Sequence, residues 1–239
     1  MELTGASALV TGAGRGIGRA IAIALGGGGA AVTLVARTKD DLDDAARAVQ
    51  AAGGRASVHV GDVRRPADCE AAVAAAVSAH GGLQILVNNA GIGSHSPVAE
   101  TSDDLWDDVL QTNLGAVFRV TRAALPHLAK RGGHVFMISS LAGKNAIAGM
   151  AAYCASKAAL DHFAACLMLE VRHQGVKVTT IAPGSVDTSF GRDPGKKRGA
   201  DWMLTAEDVA SAVVDLLATR DAAHLSRVEM RPLRPPKQA

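Results

Sequence analysis

Tyr153 and Lys157 stand four residues apart in Tyr153-Cys154-Ala155-Ser156-Lys157, within a run from Met150 to Leu169 dominated by Ala, Leu and Met and free of Pro and Gly. Such a run predicts a helix. Residues four apart share a helix face, so a phenol and an ammonium project side by side. A phenol beside a cation can give up and take back a proton, which is the chemistry of general acid–base catalysis. Small Ala, Ser and Cys residues around the pair imply a helix pressed against something bulky. A buried Tyr with a satisfied hydroxyl and a snorkelling Lys fit the same residues, and the five residues alone leave both readings open.

A second chemical signal lies near the start. The apolar run Ala6 to Val10 leads into Thr11-Gly12-Ala13-Gly14-Arg15-Gly16-Ile17-Gly18, then into a helical pattern from Arg19 to Leu25. Strand, glycine turn and helix in that order let the first helix amides face a pyrophosphate with the positive end of the helix dipole behind them. The dinucleotide pattern GxGxxG is not strictly met, because Ile17 stands where its third Gly would be; Gly12, Gly16 and Gly18 give GxxxGxG instead. A tight turn alone would use the same glycines, but the flanking strands favour a nucleotide.

The next strand, Ala31 to Ala36, ends at Arg37. In a dinucleotide fold this strand end lies beside the adenosine ribose, where a carboxylate would accept from a free 2'-hydroxyl and an arginine would receive a 2'-phosphate. Arg37, with Arg15 in reach and no carboxylate at the strand end, points to NADP(H). The alternative is a solvated Arg37 paired with Asp40 or Asp41.

Elements must carry these groups to one place. Short apolar strands are predicted at Ala6 to Val10, Ala31 to Ala36, Ala56 to Val60, Gln84 to Val87, Gly133 to Ser139, Val176 to Ile181 and Arg227 to Arg231. Between them run helical patterns at Arg19 to Leu25, Asp40 to Ala52, Pro66 to Ala79, Ser102 to Lys130, Met150 to His173 and Ala206 to Thr219. This alternation predicts an α/β chain, a single-domain Rossmann fold with a seven-stranded parallel sheet and helices on both faces. Ligands on such sheets bind beyond the carboxyl ends of the strands. The polar and glycine-rich residues gather on that rim, among them Asp62-Val63, Asn88 to Gly91, Ser139-Ser140 and Pro183-Gly184. Gly26 to Gly29 reads as the end of the first helix followed by a flexible connection.

Composition removes other classes. A hydrophobic share of 48% suffices for a large core, and only 3% aromatic residues means that Ala, Val, Leu and Ile build it. Twenty-five basic against 23 acidic side chains leave a formal charge of +2, which asks for neither nucleic acid nor a charged membrane. Cys69, Cys154 and Cys166 form no CxxC, so neither a disulfide framework nor a metal site is expected, and a reducing, cytoplasmic setting is. With no leader-like start and no run of 18 apolar residues, a soluble, unprocessed protein is expected.

Taken together, Thr11 to Gly18, Asp62, Asn88-Asn89-Ala90-Gly91, Asn113, Ser140, Tyr153 with Lys157, and Pro183-Gly184 with Thr188 make the chain resemble the classical short-chain dehydrogenase/reductase family over nearly its whole length. Its likeness is to the 3-oxoacyl-[acyl-carrier-protein] reductase branch. The resemblance implies a cofactor site of Gly12, Gly14, Arg15, Gly16, Ile17, Arg37, Asp62, Val63, Asn89, Ala90, Gly91, Pro183, Gly184, Val186 and Thr188. In that site Asp62 and Val63 bind adenine, Asn89 to Gly91 line the adenosine side, and Val186 and Thr188 hold the carboxamide. Asn88 ties neighbouring strands. It further implies a catalytic set of Asn113, Ser140, Tyr153 and Lys157. Ser140 precedes Tyr153 by thirteen positions, which favours it over Ser139 as the catalytic serine.

In that scheme Tyr153 is the general acid in reduction, Ser140 bonds the substrate oxygen, Lys157 binds the nicotinamide ribose, and Asn113 holds a water joining Lys157 to solvent. A free Tyr has a pKa of about 10. A lysine charge about 4 Å away, at an effective dielectric near 20, is worth about 4 kcal/mol and would draw the phenol toward neutrality.

The substrate is expected to be a small carbonyl or alcohol compound, or an acyl thioester on a carrier. A lid at 185–203 carries Lys196-Lys197-Arg198, read either as a solvated face or as a basic entrance for an acidic carrier. Leu141 to Asn145 is expected to form a pocket wall, and His95 either lines the pocket or lies on the surface. The domain is expected to span 1–231, with a Pro-rich tail at 232–239. That tail replaces the Gly-rich turn common in the family and puts a homotetramer in doubt; a homodimer through the two long helices is the minimum expected. A non-catalytic NADP-binding regulator on the same fold is the alternative. An extended epimerase or dehydratase is disfavoured, since the chain has no room for a larger substrate domain.

Overall fold

A computed structural model describes residues 1–190 and 201–235; Lys196, Lys197 and Arg198 and the last four residues lie outside that range. The sheet has seven strands in the order β3-β2-β1-β4-β5-β6-β7, all pairs parallel. They are β1 Ser7–Thr11, β2 Ala31–Ala36, β3 Arg55–Val60, β4 Ile85–Asn88, β5 His134–Ile138, β6 Lys177–Pro183 and β7 Arg227–Met230. The helices are α1 Gly16–Gly27, α2 Lys39–Ala51, α3 Pro66–His80, α4 Asp103–Leu110, α5 Ala116–Ala129, α6 Ala151–Val171 and α7 Ala206–Leu217. None among the described residues is long and apolar enough to cross a membrane.

Strand side chains alternate between two faces, and each face here has its own core. Ala8 and Val10 of β1, Leu34 of β2, Val87 of β4 and Phe136 of β5 pack with α1, α2 and α7. Leu9, Val35, Leu86 and Met137, their neighbours along the same strands, pack with α3, α5 and α6. Both faces are covered, so strands such as β1 and β5 are buried throughout and read in sequence as continuous apolar runs.

Two expectations are corrected. Gly26 to Gly29 is not a flexible connection: a Cβ on Gly26 would lie 2.5 Å from Val49 Cγ1, and one on Gly54 would lie 2.6 Å from Gly26 Cα. The glycines let α1 press against α2 and the turn before β3. The helix predicted from Ser102 to Lys130 runs unbroken from Asp103 to Ala129 but is not regular throughout: Gln111–Gly115 forms a π turn between its α-helical stretches α4 and α5. A π turn widens the hydrogen-bond ladder by one residue and recurs at functional sites. Here it carries Asn113.

Both ends of the predicted lid are pinned. Val186 bridges Leu204, with Leu204 N–H donating to Ser185 O at 3.0 Å and Asp187 N–H to Leu204 O at 2.8 Å. Directly after, Thr205 and Asp208 form a reciprocal capping box that starts α7.

Candidate active site

Between the carboxyl ends of the strands lies a cavity of about 400 Å³. It sits where β1 has β2 on one side and β4 on the other, the switch point at which such sheets open a crevice. Of the residues predicted for the site, Gly12, Gly14, Arg15, Gly16, Ile17, Arg37, Asp62, Val63, Asn89, Ala90, Gly91, Ser140, Tyr153, Lys157, Pro183, Gly184, Val186 and Thr188 line it. Asn113 does not.

The glycine turn is built by exclusion. Gly12 has φ +65°, and a Cβ there would meet Ala90 Cα at 2.9 Å. A Cβ on Gly18 would lie 2.3 Å from Gly12 O, so Gly18 brings α1 against the turn. Thr11 Oγ1 accepts from the amides of Asn89 at 3.0 Å and Ala90 at 3.1 Å and donates to Val87 O at 3.3 Å. Asn89 Nδ2 donates to Thr11 O at 3.0 Å and Gly12 O at 3.2 Å. Asn89 lines the cavity and also fastens the glycine turn to the end of β4, a function its sequence position did not disclose. Asn88, expected to tie neighbouring strands, reaches Met137 Sδ on β5 at 3.5 Å but makes its shorter bond to a helix, donating at 3.0 Å to Thr121 Oγ1 on α5.

The cavity suits a dinucleotide at three points. First, α1 begins at Gly16 with no side chain capping its amides and no acid in its first turn, so its unsatisfied N–H groups and dipole favour an anion. Second, Arg15 and Arg37 both line the wall beside Ala36, and neither forms an ion pair among the described residues. Asp41 also reaches this corner, with its Cβ 2.8 Å from where a Gly14 Cβ would stand. Third, Asp62 presents a carboxylate that Arg64 grips through Nε at 3.1 Å and Nη2 at 2.7 Å. Those hydrogen bonds hold the Asp62 carboxyl below its ordinary range, burial opposing. Arg64 Nη1 continues to Asp108 Oδ1 at 2.8 Å, joining the rim to α4. Arg64 and Asp108 were not expected here; their distance in sequence, 44 residues, hides the pairing.

At the other end Tyr153 and Lys157 emerge from α6, 8% and 4% exposed. Lys157 Nζ donates to Ile138 O at 2.8 Å and lies 5.8 Å from the Tyr153 ring centroid. Burial raises the Tyr153 phenol above its ordinary value, a hydrogen bond with Ser140 opposing. The expectation that Lys157 draws the phenol toward neutrality is therefore corrected: its ammonium is turned to Ile138 O, and burial is the largest influence on the phenol. Burial also lowers Lys157 itself, to about 8, with Asp161 opposing. Ser140 Oγ additionally accepts from Ala142 N–H at 3.1 Å, which fixes the turn Leu141–Gly143. Ser139 also borders the cavity, but its Oγ donates to Lys157 O at 3.5 Å.

Asn113 is fully buried behind the cavity. Its Oδ1 accepts from Ile92 N–H at 2.8 Å, and its Nδ2 donates to Ile92 O at 2.9 Å and Ser156 Oγ at 3.0 Å. Both amide hydrogens are thus engaged by protein, and a water at this residue would need another of its atoms. Ser156 Oγ in turn donates to Tyr153 O at 2.7 Å. Ser156 was visible between Ala155 and Lys157, yet nothing in its type signalled this bridge.

The expected pocket walls differ. Leu141 to Asn145 does not line the cavity; Leu141 packs toward Gly184, whose Cβ would lie 3.2 Å from its Cδ1. His95 is exposed and rests against Gly149. Phe190, not foreseen, does line the cavity, its ring centroid 5.8 Å from that of Tyr153.

Residues 6–199 match the family model described as short chain dehydrogenase. The 3-oxoacyl-[acyl-carrier-protein] reductase FabG of Salmonella typhimurium is 35% identical over 235 residues, covering 95% of each chain. Dehydrogenase/reductase SDR family member 4 of Oryctolagus cuniculus is 31% identical over 230 residues, 92% of this chain and 88% of that one. Among solved structures, an alcohol dehydrogenase from the archaeon Thermococcus sibiricus complexed with 5-hydroxy-NADP superposes with a TM-score of 0.90 at 29% identity, covering 98% of this chain and 99% of the other. A metagenomic short-chain oxidoreductase in complex with NADP gives 0.86 at 36% identity, covering 98% and 100%. A crevice that fits a dinucleotide, with Ser140, a buried Tyr153 and Lys157 one turn along on its wall, is thus found on a chain that belongs to the short-chain dehydrogenase family of oxidoreductases.

Proposed function

We propose that the protein uses NADPH to reduce a carbonyl to a secondary alcohol, with Tyr153 as the proton donor. The observation that carries this is the meeting of Ser140, Tyr153 and Lys157 on the wall of one cavity, with Tyr153 and Lys157 buried on the same face of α6. The nicotinamide cofactor supplies the hydride. A raised phenol pKa keeps Tyr153 protonated at neutral pH, as a donor to a carbonyl oxygen must be. Ser140 bonds the same oxygen and orients it. Lys157, now on Ile138 O, is placed to bond the nicotinamide ribose, while Asp62 takes the adenine and Val186 and Thr188 the carboxamide. Asn113 holds the loop at Ile92 and, through Ser156, the backbone of Tyr153.

Arg15 and Arg37 beside Ala36 support NADPH over NADH, as do the NADP-type ligands in the two similar structures. The FabG relative supports a 3-oxoacyl thioester as substrate. Phe190 offers that chain an apolar wall beside Tyr153. Tyr153→Phe is expected to lower turnover at least about 100-fold while NADPH still binds; unchanged turnover would reject the assignment. A panel of simple ketones and 3-oxoacyl thioesters followed by NADPH absorbance tests the substrate class, and reduction of ketones alone would reject the thioester.

Assembly as at least a dimer rests on the outer faces of α5 and α6. Phe118 on α5 is 45% exposed and Leu169 on α6 is 56% exposed, and Phe118 meets Phe163 edge-on at 6.4 Å. A monomeric mass in solution would refute it.

A further inference from the structure

Beyond Tyr153 and Lys157, the same face of α6 carries a third ionisable residue at the next four-residue step, Asp161. Its side chain is only 10% exposed. Oδ2 accepts Arg227 Nη1 from β7 at 2.8 Å, whereas Oδ1 is buried with no hydrogen-bond partner among the described residues. A buried carboxylate oxygen without a partner is unfavourable unless nearby charge offsets it. The surroundings are built to keep it close. A Cβ on Gly143 would stand 2.8 Å from Asp161 Oδ2 and 3.0 Å from Lys157 O, so only glycine lets the turn after Ser140 come this near α6.

Arg227 is shared. Its Nε lies 3.7 Å from Glu229 Oε1, and Glu229 also meets Lys144 at 3.2 Å and Arg231 at 3.0 Å. Asp161 therefore joins the catalytic helix to the last strand, and Lys144 brings in the turn that follows Ser140. Resting on the reading that Lys157 binds the nicotinamide ribose, we propose that Asp161 is a positioning residue whose carboxylate keeps Lys157 an ammonium, and that Arg227 sets how much of that negative charge Lys157 feels. Burial alone acts to discharge Lys157, and Asp161 is the group that opposes it. Other ionisable groups at this end are Tyr153 and Cys154 on α6, Lys144 on the Ser140 turn, Glu229 on β7 and Arg231 just after it, Asp108 on α4, already paired with Arg64, and His95 against Gly149.

The test is NADPH affinity by fluorescence titration across the alkaline range, which reads the charge on Lys157 without turnover. In the wild-type protein affinity falls as Lys157 loses its proton. Asp161→Asn is expected to move that fall to lower pH by about one unit, an affinity about 10-fold weaker at a fixed alkaline pH. Arg227→Met is expected to move it the other way, because Asp161 keeps its charge and loses its competing cation. Asp161→Glu retains the wild-type position. Shifts of the same sign in the first two variants, or none, would make Asp161 a structural clamp only and overturn the proposal. A wild-type affinity that does not fall at alkaline pH would instead remove the ribose reading beneath it.

Discussion

Asn113 clasps the backbone of Ile92 from the π turn, accepting its N–H at 2.8 Å and donating to its carbonyl at 2.9 Å. The third bond of the side chain goes to Ser156, so one buried amide joins the α4–α5 junction, the loop after β4 and the helix of Tyr153. Each buried bond of this kind contributes about 1 kcal/mol, and unpaired partners cost about 1–3 kcal/mol. Asn113→Ala should therefore destabilise the fold by roughly 3 kcal/mol in urea denaturation and lower turnover as well. Stability within about 0.5 kcal/mol of wild type, the usual range for surface substitutions, would show that the clasp is dispensable.

Tyr153 is the single tyrosine of the chain, which makes its ionisation directly readable by ultraviolet difference absorbance. With burial raising the phenol, the ligand-free protein should ionise with a midpoint above the ordinary value of 10.0. A midpoint below it would mean that Lys157 already dominates before any cofactor binds. Repeating the titration with Lys157→Met separates the two influences.

Arg37 should discriminate between the two nicotinamide cofactors. Charge-assisted bonds to a phosphate are worth about 1.5–3 kcal/mol, so Arg37→Ala is expected to weaken NADPH binding by roughly 10- to 100-fold and to leave NADH nearly unchanged. Equal losses for both cofactors would place Arg37 away from the 2'-phosphate.

At the opposite end of the sheet, His134 is buried, stacks on Phe136 at 4.0 Å and lies 2.8 Å from Thr179 Oγ1. Thr179 donates its own proton to Leu225 O at 2.7 Å, so His134 Nε2 is the donor and the ring is neutral. Burial, with His224 and Lys177 adding to it, lowers its pKa from 6.5 to about 3. Above pH 6.5 folded and unfolded chains are both neutral at this residue; below it only the unfolded chain gains the proton. Stability should fall by up to about 1.4 kcal/mol per pH unit as pH drops through that window. His134→Gln should show a shallower slope between pH 6 and pH 4, roughly one proton less; equal slopes would contradict the assignment.

Much of this was legible in the chain. The strands β1, β2, β4 and β5 are mostly apolar because both faces of a parallel sheet are covered, and glycine after β1 marks the turn by its own conformational freedom. Tyr153, Lys157 and Ser140 could be placed because helix periodicity and strand ends fix side-chain direction locally. What the sequence could not determine was set by long-range approach. The π turn at Asn113, the Arg64–Asp108 link, the place of Phe190 over Tyr153 and the Asp161–Arg227 pair join segments far apart in the chain, and no local period encodes them. The direction of the Tyr153 shift was likewise a tertiary result: spacing put the lysine on the face of the phenol, but where its ammonium turns and how far the phenol is removed from water are decided only when α6 packs against the sheet, and burial is the largest influence on the phenol.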